Sequence, residues 1–321
     1  MPGSLASSMK RFECPNCSAA LFFANLRCGT CGEELQYEPT TDDFALLSRP
    51  CSQRIATHVC NWAAGTAEAC RSCSLDSSAA DTELAVPFQQ AKRRTLRQLH
   101  RFRVSPENHE PTLRFNLRAG TASEPVTTGH AGGTVTLDIS EADPARREQL
   151  RKDLGETYRT PLGHVRHETG HWWWAAWSAQ TSEADLVAAR ELFGDERAGY
   201  ESALATHYQL TDDGSWQEDY ISFYASSHPF EDFAESFAHF LHVEDTLETA
   251  ADHGMVGRRE GPGSDDIAEV WPPLASAINE ISLSMGTEEP YPFSPSRSAL
   301  AKVSAAGATL KRTDAGPSSG S

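Results

Sequence analysis

Aromatic residues recur every three or four positions in the segment 230–240, a spacing that predicts a helix with one buried side. The stripe consists of Phe230, Phe233, Phe237 and Phe240. Glu231 and Glu235 are four residues apart and share a face beside this stripe. Because carboxylates next to a buried surface need compensating charge, which a metal ion with its ligands would supply, the two acids are candidates for a functional site.

The segment 146–180 has a helical pattern around Pro161, a residue favoured in the first turn of a helix. Its second half contains four tryptophans, Trp172, Trp173, Trp174 and Trp177. Consecutive side chains point in different directions around a helix, so we expect at least one tryptophan to face a cleft or a domain interface. Packing against the acidic helix or the N-terminal module is favoured over a role as a substrate platform.

Polar and apolar residues alternate from 134 to 139, after Gly132 and Gly133, which predicts a β-strand. Together with the helical segments, this strand predicts an α+β fold in which helices dominate.

The segment 89–104 predicts a basic amphipathic helix. Its apolar residues are Leu96, Leu99 and Phe102, and six Lys or Arg residues surround them. We expect a solvated basic face. It could contact nucleic acid or dock on an acidic surface of the protein itself, but the formal net charge of −17 repels phosphate. A nucleic-acid partner is therefore not expected.

Length and composition favour one small and one larger globular domain, because 321 residues with 39% hydrophobic content can bury a substantial core. The Ser-, Ala- and Asp-rich segment 74–81 predicts the exit from the small module. We therefore predict a module at 9–80, a larger domain at 81–293 and a disordered tail at 294–321, which lacks large apolar residues at a regular period. No stretch approaches the roughly 20 apolar residues that span a bilayer, so no membrane partner is expected.

All eight cysteines lie within the first 73 residues. Four of them form the pattern CxxC-x10-CxxC, namely Cys14, Cys17, Cys28 and Cys31. Each CxxC pair can form one knuckle, and two knuckles joined by a hairpin close four thiolates around zinc. This pattern predicts a zinc ribbon.

The remaining cysteines form one CxxC pair and two single residues, Cys51, Cys60, Cys70 and Cys73. Their number suits a second four-thiolate zinc site, although the spacing is irregular. A disulfide framework and a redox pair are the alternatives. Disulfides persist in oxidising compartments, but the N-terminus lacks the continuous apolar segment of a secretion signal. We therefore expect metal sites and a cytoplasmic location.

The segment 164–171 contains one HExxH motif, formed by His167, Glu168 and His171. On a helix this spacing puts both histidines on one face, one turn apart, with the glutamate beside them. Two imidazoles supply half of a tetrahedral zinc site and leave room for a third protein ligand and a water, whose proton Glu168 can accept. The motif is typical of zinc hydrolases.

We predict Glu231 as the third zinc ligand and Glu235 as the carboxylate that orients a ligand imidazole through its free N–H. The reversed assignment remains open, as does an interpretation in which both carboxylates face solvent. His164 lies one turn before His167, but it would compete with Glu231 for the same coordination position. A structural role or one in support of the ligands is therefore expected for His164, and a helix-surface or core role for His228, with proton donation as its alternative.

These residues resemble the gluzincin metallopeptidases, in which the third ligand is the first Glu of an acidic helix and a second acid, four residues later, supports a ligand histidine. Glu231 and Glu235 match that pattern. The stretch from Tyr224 to Glu231 is similar to toxin-type gluzincins, in which such a tyrosine stabilises the tetrahedral intermediate. The resemblance implies this role for Tyr224, with a buried structural tyrosine as the alternative.

A broader resemblance, from about Phe12 to about Ala250, is to a bacterial family of zinc-binding metallopeptidases with an N-terminal zinc ribbon. It depends on four stretches, 158–171, 192–197, 224–241 and 245–250, and on Cys60-Asn61-Trp62 within the cysteine-rich segment. The resemblance implies a zinc-ribbon module followed by a mainly helical zincin-like domain.

The expected function is hydrolysis of peptide bonds by Glu168-assisted attack of zinc-bound water. Zinc is the expected cofactor, with one catalytic and one or two structural ions. The expected partners are a peptide or protein substrate and a protein that docks on the zinc ribbon. In zinc peptidases a strand beside the metal-binding helix can pair with extended substrate, which makes the strand at 134–139 a candidate edge. The alternative function is a catalytically silent zinc-binding adaptor.

Overall fold

The computed structural model describes residues 11–78, 83–121, 123–153 and 155–311. Within these ranges, a small cysteine-rich module is followed by a mainly helical domain with one four-stranded sheet. The predicted α+β class, with a small N-terminal module and a mainly helical domain, is confirmed. The parts of the domain predictions that concern residues 9–10, 79–82 and 312–321 lie outside the described residues.

The N-terminal module is organised around an antiparallel hairpin of β1 (Leu35–Glu38) and β2 (Asp43–Leu46), followed by helix α1 (Ser52–Thr57). The buried ring of Tyr37 packs against Phe23 at 5.0 Å, Trp62 at 5.3 Å and Phe44 at 6.0 Å. This aromatic cluster joins the parts of the module that carry the cysteines.

The second sheet has the strand order β3–β4–β6–β5. Its strands are β3 (Asp76–Ser78), β4 (Arg114–Arg118), β5 (Gly129–Ala131) and β6 (Thr134–Asp138). The β3–β4 and β4–β6 pairs are parallel, whereas β5 is antiparallel to β6. The predicted exit segment at 74–81 therefore contributes a strand to this sheet.

The strand predicted at 134–139 is present as β6, but its assignment as a substrate-binding edge was wrong. Gly132 and Gly133 have positive φ angles of 54° and 86°, which suit a tight hairpin turn. The turn folds β5 and β6 together, so β6 is enclosed between β4 and β5. The terminal strand on this side of the described sheet is β5.

Eight helices of the second domain lie within the described residues. They are α2 (Ala85–Arg101), α3 (Pro144–Asp153), α4 (Pro161–Ser178), α5 (Glu183–Phe193), α6 (Tyr200–His207), α7 (Pro229–Asp252), α8 (Ile267–Ser284) and α9 (Arg297–Lys311). Helix α7 packs against both α4 and α9, and α4 also contacts α2 and β6. No described helix is both long enough and apolar enough to cross a bilayer.

Most residues of the basic helix α2 are buried, so the expectation of a solvated basic face was wrong. The helix instead docks on acidic groups of the protein itself, as the alternative predicted. Lys92 is fully buried and lies 2.5 Å from Asp76. Arg97 forms ion pairs with Asp42 of the N-terminal module at 2.7 Å and with Glu248 of α7 at 2.8 Å. These cations connect the cysteine-rich module to the helical domain.

The prediction of a disordered tail at 294–321 was wrong for residues 297–311, which form α9. The buried stripe of this helix contains Ala299, Val303, Ala306 and Leu310. Small side chains at helical spacing carry little hydrophobic signal, yet they allow the close helix packing seen here. Lys302 also donates to the buried Asp232 of α7 at 2.6 Å.

All four tryptophans of α4 are at most 4% exposed, so none of them faces an open cleft. Trp173 Nε1 donates to Thr309 Oγ1 of α9 at 2.7 Å, and Trp172 Nε1 donates to the carbonyl of Pro111 at 2.7 Å. Thr309 of α9, which the tail prediction had left out of the fold, thus supplies the polar partner of a tryptophan on α4. The favoured packing role is observed for Trp174, whose ring lies 4.7 Å from that of Phe233 on α7.

We predict that Gly307→Ala destabilises the protein by about 1–3 kcal/mol, because a Cβ at this position would overlap the ring of Phe240. The free energy of unfolding, measured by urea denaturation, tests this. Ala301→Ser, at an exposed position of α9, is the control and should change stability by about 0.5 kcal/mol or less. Equal stability of Gly307→Ala and wild type would contradict the packing of α9 on α7.

Candidate functional site

Two capped helices position the candidate site. Helix α4 begins after Thr160, whose Oγ1 accepts a hydrogen bond from Gly163 N at 3.0 Å, and Pro161 occupies its first turn. Helix α7 begins after His228, whose Nδ1 accepts from Phe230 N at 3.1 Å. Glu231 therefore lies in the first turn of α7, where the helix dipole favours a negative charge.

Gly170 allows α4 and α7 to approach closely. A Cβ at this position would lie 3.0 Å from Ala234 Cα and 3.1 Å from Ala234 O, closer than most side chains tolerate. The crossing places the HExxH face of α4 opposite the first turns of α7. The glycine inside the motif thus determines how near the histidines come to the acids.

The crossing brings together His167, His171 and Glu231. Glu231 Oε2 lies 3.0 Å from His167 Nε2 and 3.3 Å from His171 Nε2. One ligand atom from each residue lies within 4.8 Å of the other two. All three side chains are largely buried, and Glu231 is only 1% exposed.

This arrangement fits a zinc ion. Two atoms bound at about 2.0–2.1 Å to a tetrahedral zinc are roughly 3.3 Å apart, close to the observed separations. Glu231 Oε2 is buried and has no hydrogen-bond partner among the described residues, despite the two nearby nitrogens. A buried, unsatisfied carboxylate oxygen is costly unless a cation compensates it. The donor set of two imidazoles and one carboxylate is one that zinc accepts.

Glu235 lies behind His167 and contacts its other ring nitrogen. Its Oε1 is 2.7 Å from His167 Nδ1, and its Oε2 accepts from Ser222 Oγ at 2.7 Å. Burial alone would raise the pKa of Glu235, but the hydrogen bonds from His167 and Ser222 and the charges of His167 and His239 together outweigh it and lower the pKa to about 2. The ionised carboxylate keeps a proton on Nδ1 and leaves the Nε2 lone pair free.

Glu168 lies beside the two histidines on α4. Burial raises the pKa of its carboxyl above the ordinary value, while the imidazoles of His171 and His167 oppose that rise. Its Oε2 is buried and has no hydrogen-bond partner among the described residues. A carboxylate with an unoccupied oxygen and a raised pKa is suited to proton transfer near neutral pH.

Two tyrosines border the site. The ring of Tyr224 lies 6.0 Å from that of His167. Burial and the charge of Glu231 raise the pKa of Tyr224, so its hydroxyl stays protonated and can donate. Tyr200 of α6 donates to Glu231 Oε1 at 2.6 Å and is a site residue that sequence analysis missed.

Sequence analysis also missed Ser222. Neither Ser222 nor Tyr200 belongs to a spaced motif, and Tyr200 lies 31 residues before its partner Glu231. The stretch 192–197, which carried part of the family resemblance, ends just before α6 and was the nearest available signal.

Two other histidines lie near the site but outside the three-residue cluster. His164 Nδ1 is 3.4 Å from Glu141 Oε2, and burial lowers the pKa of this imidazole to about 3. His228 caps α7, and its Nε2 lies 3.2 Å from the carbonyl of Ala198. Neither contact brings its histidine into the cluster of His167, His171 and Glu231.

The first four cysteines also converge. Cys14 Sγ lies 3.6 Å from Cys31 Sγ, and Cys17 Sγ lies 3.7 Å from Cys28 Sγ. These distances exceed a disulfide bond of about 2.05 Å and match the roughly 3.8 Å between thiolates bound at about 2.3 Å to tetrahedral zinc. The backbone N–H of Thr30 points to Cys28 Sγ at 3.4 Å, as in a metal knuckle.

The other four cysteines form a second, more deeply buried cluster, in which none is more than 8% exposed. Cys60 Sγ lies 3.6 Å from Cys70 Sγ and 3.7 Å from Cys73 Sγ, and Cys51 Sγ accepts from Cys70 N at 3.2 Å. All eight cysteines are free thiols in the structure. The irregular spacing in sequence therefore still yields one four-thiolate cluster.

Comparison with known proteins agrees with this geometry. Residues 85–307 match the family described as "Putative zinc-binding metallo-peptidase", and residues 11–50 match a zinc-ribbon domain. Uncharacterized proteins of Mycobacterium tuberculosis and Mycobacterium bovis are each 35% identical over 310 residues, covering 89% of this chain and 90% of theirs. No solved structure matches the chain significantly. Because the match covers more than half of its residues, the chain belongs to this zinc-binding metallopeptidase family and carries an N-terminal zinc ribbon.

Proposed function

We propose that the chain is a zinc-dependent peptidase whose catalytic zinc is held by His167, His171 and Glu231. The observation that carries the proposal is the buried, unsatisfied Glu231 Oε2 opposite two imidazole Nε2 atoms. Glu168 supports hydrolysis, because a site that only stabilises structure needs no adjacent proton acceptor. Membership of the family supports the same interpretation.

Zinc bound by these residues would polarise a substrate carbonyl and make a water molecule more acidic. The unoccupied Oε2 of Glu168 accepts the proton of the attacking water and later delivers it to the nitrogen of the leaving amine. Water attack breaks the amide C–N bond and yields a carboxylic acid and an amine. Glu235 holds the proton on His167 Nδ1 throughout, so this imidazole keeps its orientation.

The two tyrosines have different proposed roles. Tyr200 holds Glu231 through Oε1, which leaves Oε2 to face the histidines. Tyr224 remains a protonated donor beside the site and is proposed to stabilise the oxyanion of the tetrahedral intermediate.

We propose that extended substrate pairs with the outer edge of β5, rather than with β6. Strand β5 contacts α4, and burial together with the nearby His171 lowers the pKa of His130 on this strand to about 4. This strand therefore lies beside the metal-site helix, and its outer edge pairs with no other strand of the described residues, so a substrate strand could pair there.

The two cysteine clusters are proposed as structural zinc sites, which makes three zinc ions per chain with the catalytic one. Docking of a partner protein on the ribbon stays a prediction. The 79% exposed Phe22, in the segment between the two CxxC pairs, offers an apolar contact for such a partner.

Glu168→Gln is expected to abolish hydrolysis while zinc remains bound, because the amide cannot accept a proton and Glu168 is not a ligand. Cleavage of an unbiased peptide library, followed by mass spectrometry, measures turnover. Glu191→Gln makes the same change at an exposed position of α5 and should retain full activity. Turnover by Glu168→Gln at the wild-type rate would refute the assignment.

Tyr200→Phe is expected to weaken binding of the catalytic zinc about 10–100-fold, because Glu231 loses the hydrogen bond at Oε1. Competition with a chromogenic chelator measures this affinity. Tyr224→Phe is the matched comparison and should keep zinc affinity while kcat falls about 100-fold or more. Unchanged zinc affinity in Tyr200→Phe would exclude the positioning role.

Metal analysis should find about three zinc ions per wild-type chain and about two in each of His171→Ala, Cys17→Ser and Cys60→Ser. Only His171→Ala should lose the ion on which hydrolysis depends. Two ions in the wild type would show that one proposed site is wrong. Three ions without cleavage of any library peptide would favour the silent adaptor.

A further inference from the structure

A cavity of about 160 Å³ lies between α7, α8 and the segment that joins α8 to α9. Aromatic rings and imidazoles form most of its wall, namely Tyr158, His239, His242, Trp271, Tyr291 and Phe293. Pairs of these rings pack edge to face. Those of Trp271 and Tyr291 are 4.8 Å apart at 88°, and those of His239 and Phe293 are 4.6 Å apart at 87°. The wall is therefore well ordered by its own contacts.

The wall carries N–H donors. Trp271 is 2% exposed, and its buried Nε1 has no partner of good hydrogen-bond distance and angle among the described residues. It lies close enough to the Tyr291 hydroxyl to oppose, in part, the rise in the pKa of Tyr291 that burial causes, but that contact does not satisfy the N–H. A buried indole N–H normally has an acceptor, and leaving it unpaired is costly. His242 Nδ1 contacts Arg166, which can only donate, so Nδ1 is the acceptor and the ring proton is on Nε2. The cavity wall thus contains a buried indole N–H suited to a hydrogen-bond acceptor, beside the neutral imidazole of His242.

The described lining of the cavity carries no charged side chain that could pair with an ionised ligand. The described residues that line it include no Asp, Glu, Lys or Arg. Arg166, behind His242, is already paired with Asp245 at 2.6 Å. Burial lowers the pKa of His239 to about 4, so this imidazole is neutral at physiological pH. An ionised ligand would be buried without a counter-charge, which is strongly unfavourable.

We propose that this cavity binds a small uncharged molecule that has one aromatic ring and a carbonyl-type acceptor, with Trp271 Nε1 donating to that acceptor. The volume supports a ligand of this size, since an engineered apolar cavity of about 150 Å³ accommodates benzene. The surrounding rings can pack edge to face against an aromatic ring of the ligand. The site is separate from the zinc ligands, and its ligand need not be a peptidase substrate.

Acetophenone and ethylbenzene are the test probes, because they have nearly the same shape and differ in the carbonyl. Ligand-observed NMR titration of the zinc-loaded full chain should show that acetophenone binds more tightly than ethylbenzene. Trp271→Phe keeps an aromatic ring and removes the N–H. We expect it to weaken acetophenone binding about tenfold and to change ethylbenzene binding about twofold or less.

Two filling variants test the location. Ile278→Phe and Thr246→Leu enlarge side chains that line the cavity, and both should abolish binding of both probes. Circular dichroism and zinc content show whether each variant is folded. If one filling variant is unfolded, the binding measured with the other tests the location. The proposal is overturned if the wild type binds neither probe at millimolar concentration. It is equally overturned if a folded filling variant binds as the wild type does, or if Trp271→Phe weakens both probes equally.

Discussion

The close crossing of α4 and α7 at Gly170 is the constraint on which the candidate site depends. A larger residue there would push Ala234 away, and Glu231, one turn earlier on α7, would move with it. The separations of 3.0 and 3.3 Å between Glu231 and the two imidazoles exist only because the backbones approach this closely. The same crossing brings Glu235 to His167, so the ligand set and its supporting hydrogen bond share one geometric cause.

Buried ion pairs are a second recurring feature of the structure. Arg97 lies between the N-terminal module and α7, paired with Asp42 and Glu248. Arg166 of the HExxH helix is paired with Asp245 of α7, and Lys302 of α9 with Asp232. Each pair is costly to break, because removing one partner leaves an uncompensated charge in the interior. These pairs fix the relative positions of the ribbon, α7 and α9, so the ribbon is part of the framework that supports the site.

The sequence predicted the motifs with regular spacing and missed contacts between distant segments. HExxH and the acidic pair follow helical periodicity, so the meeting of His167, His171 and Glu231 could be foreseen, as could the first cysteine cluster. Tyr200 and Ser222 reach the site through the fold alone. Helix α9 was missed because small residues, Ala299, Ala306 and Gly307, form much of its buried side. That omission left Trp173 without its observed partner, Thr309. The burial of α2 was missed because acidic partners such as Asp42 and Glu248 come from remote segments.

Because α9 follows α4 and α7 in the chain, its contacts have a consequence for the order in which the site can form during protein synthesis. Helix α9 supplies the polar partner of Trp173 and the cation beside Asp232, both next to residues of the candidate site. Segments fold as they leave the ribosome, N-terminal parts first. The cysteine-rich module could therefore assemble early, whereas the core around α4 and α7 would remain incomplete until α9 had emerged. The candidate site would thus be completed well after the HExxH segment itself had been synthesised.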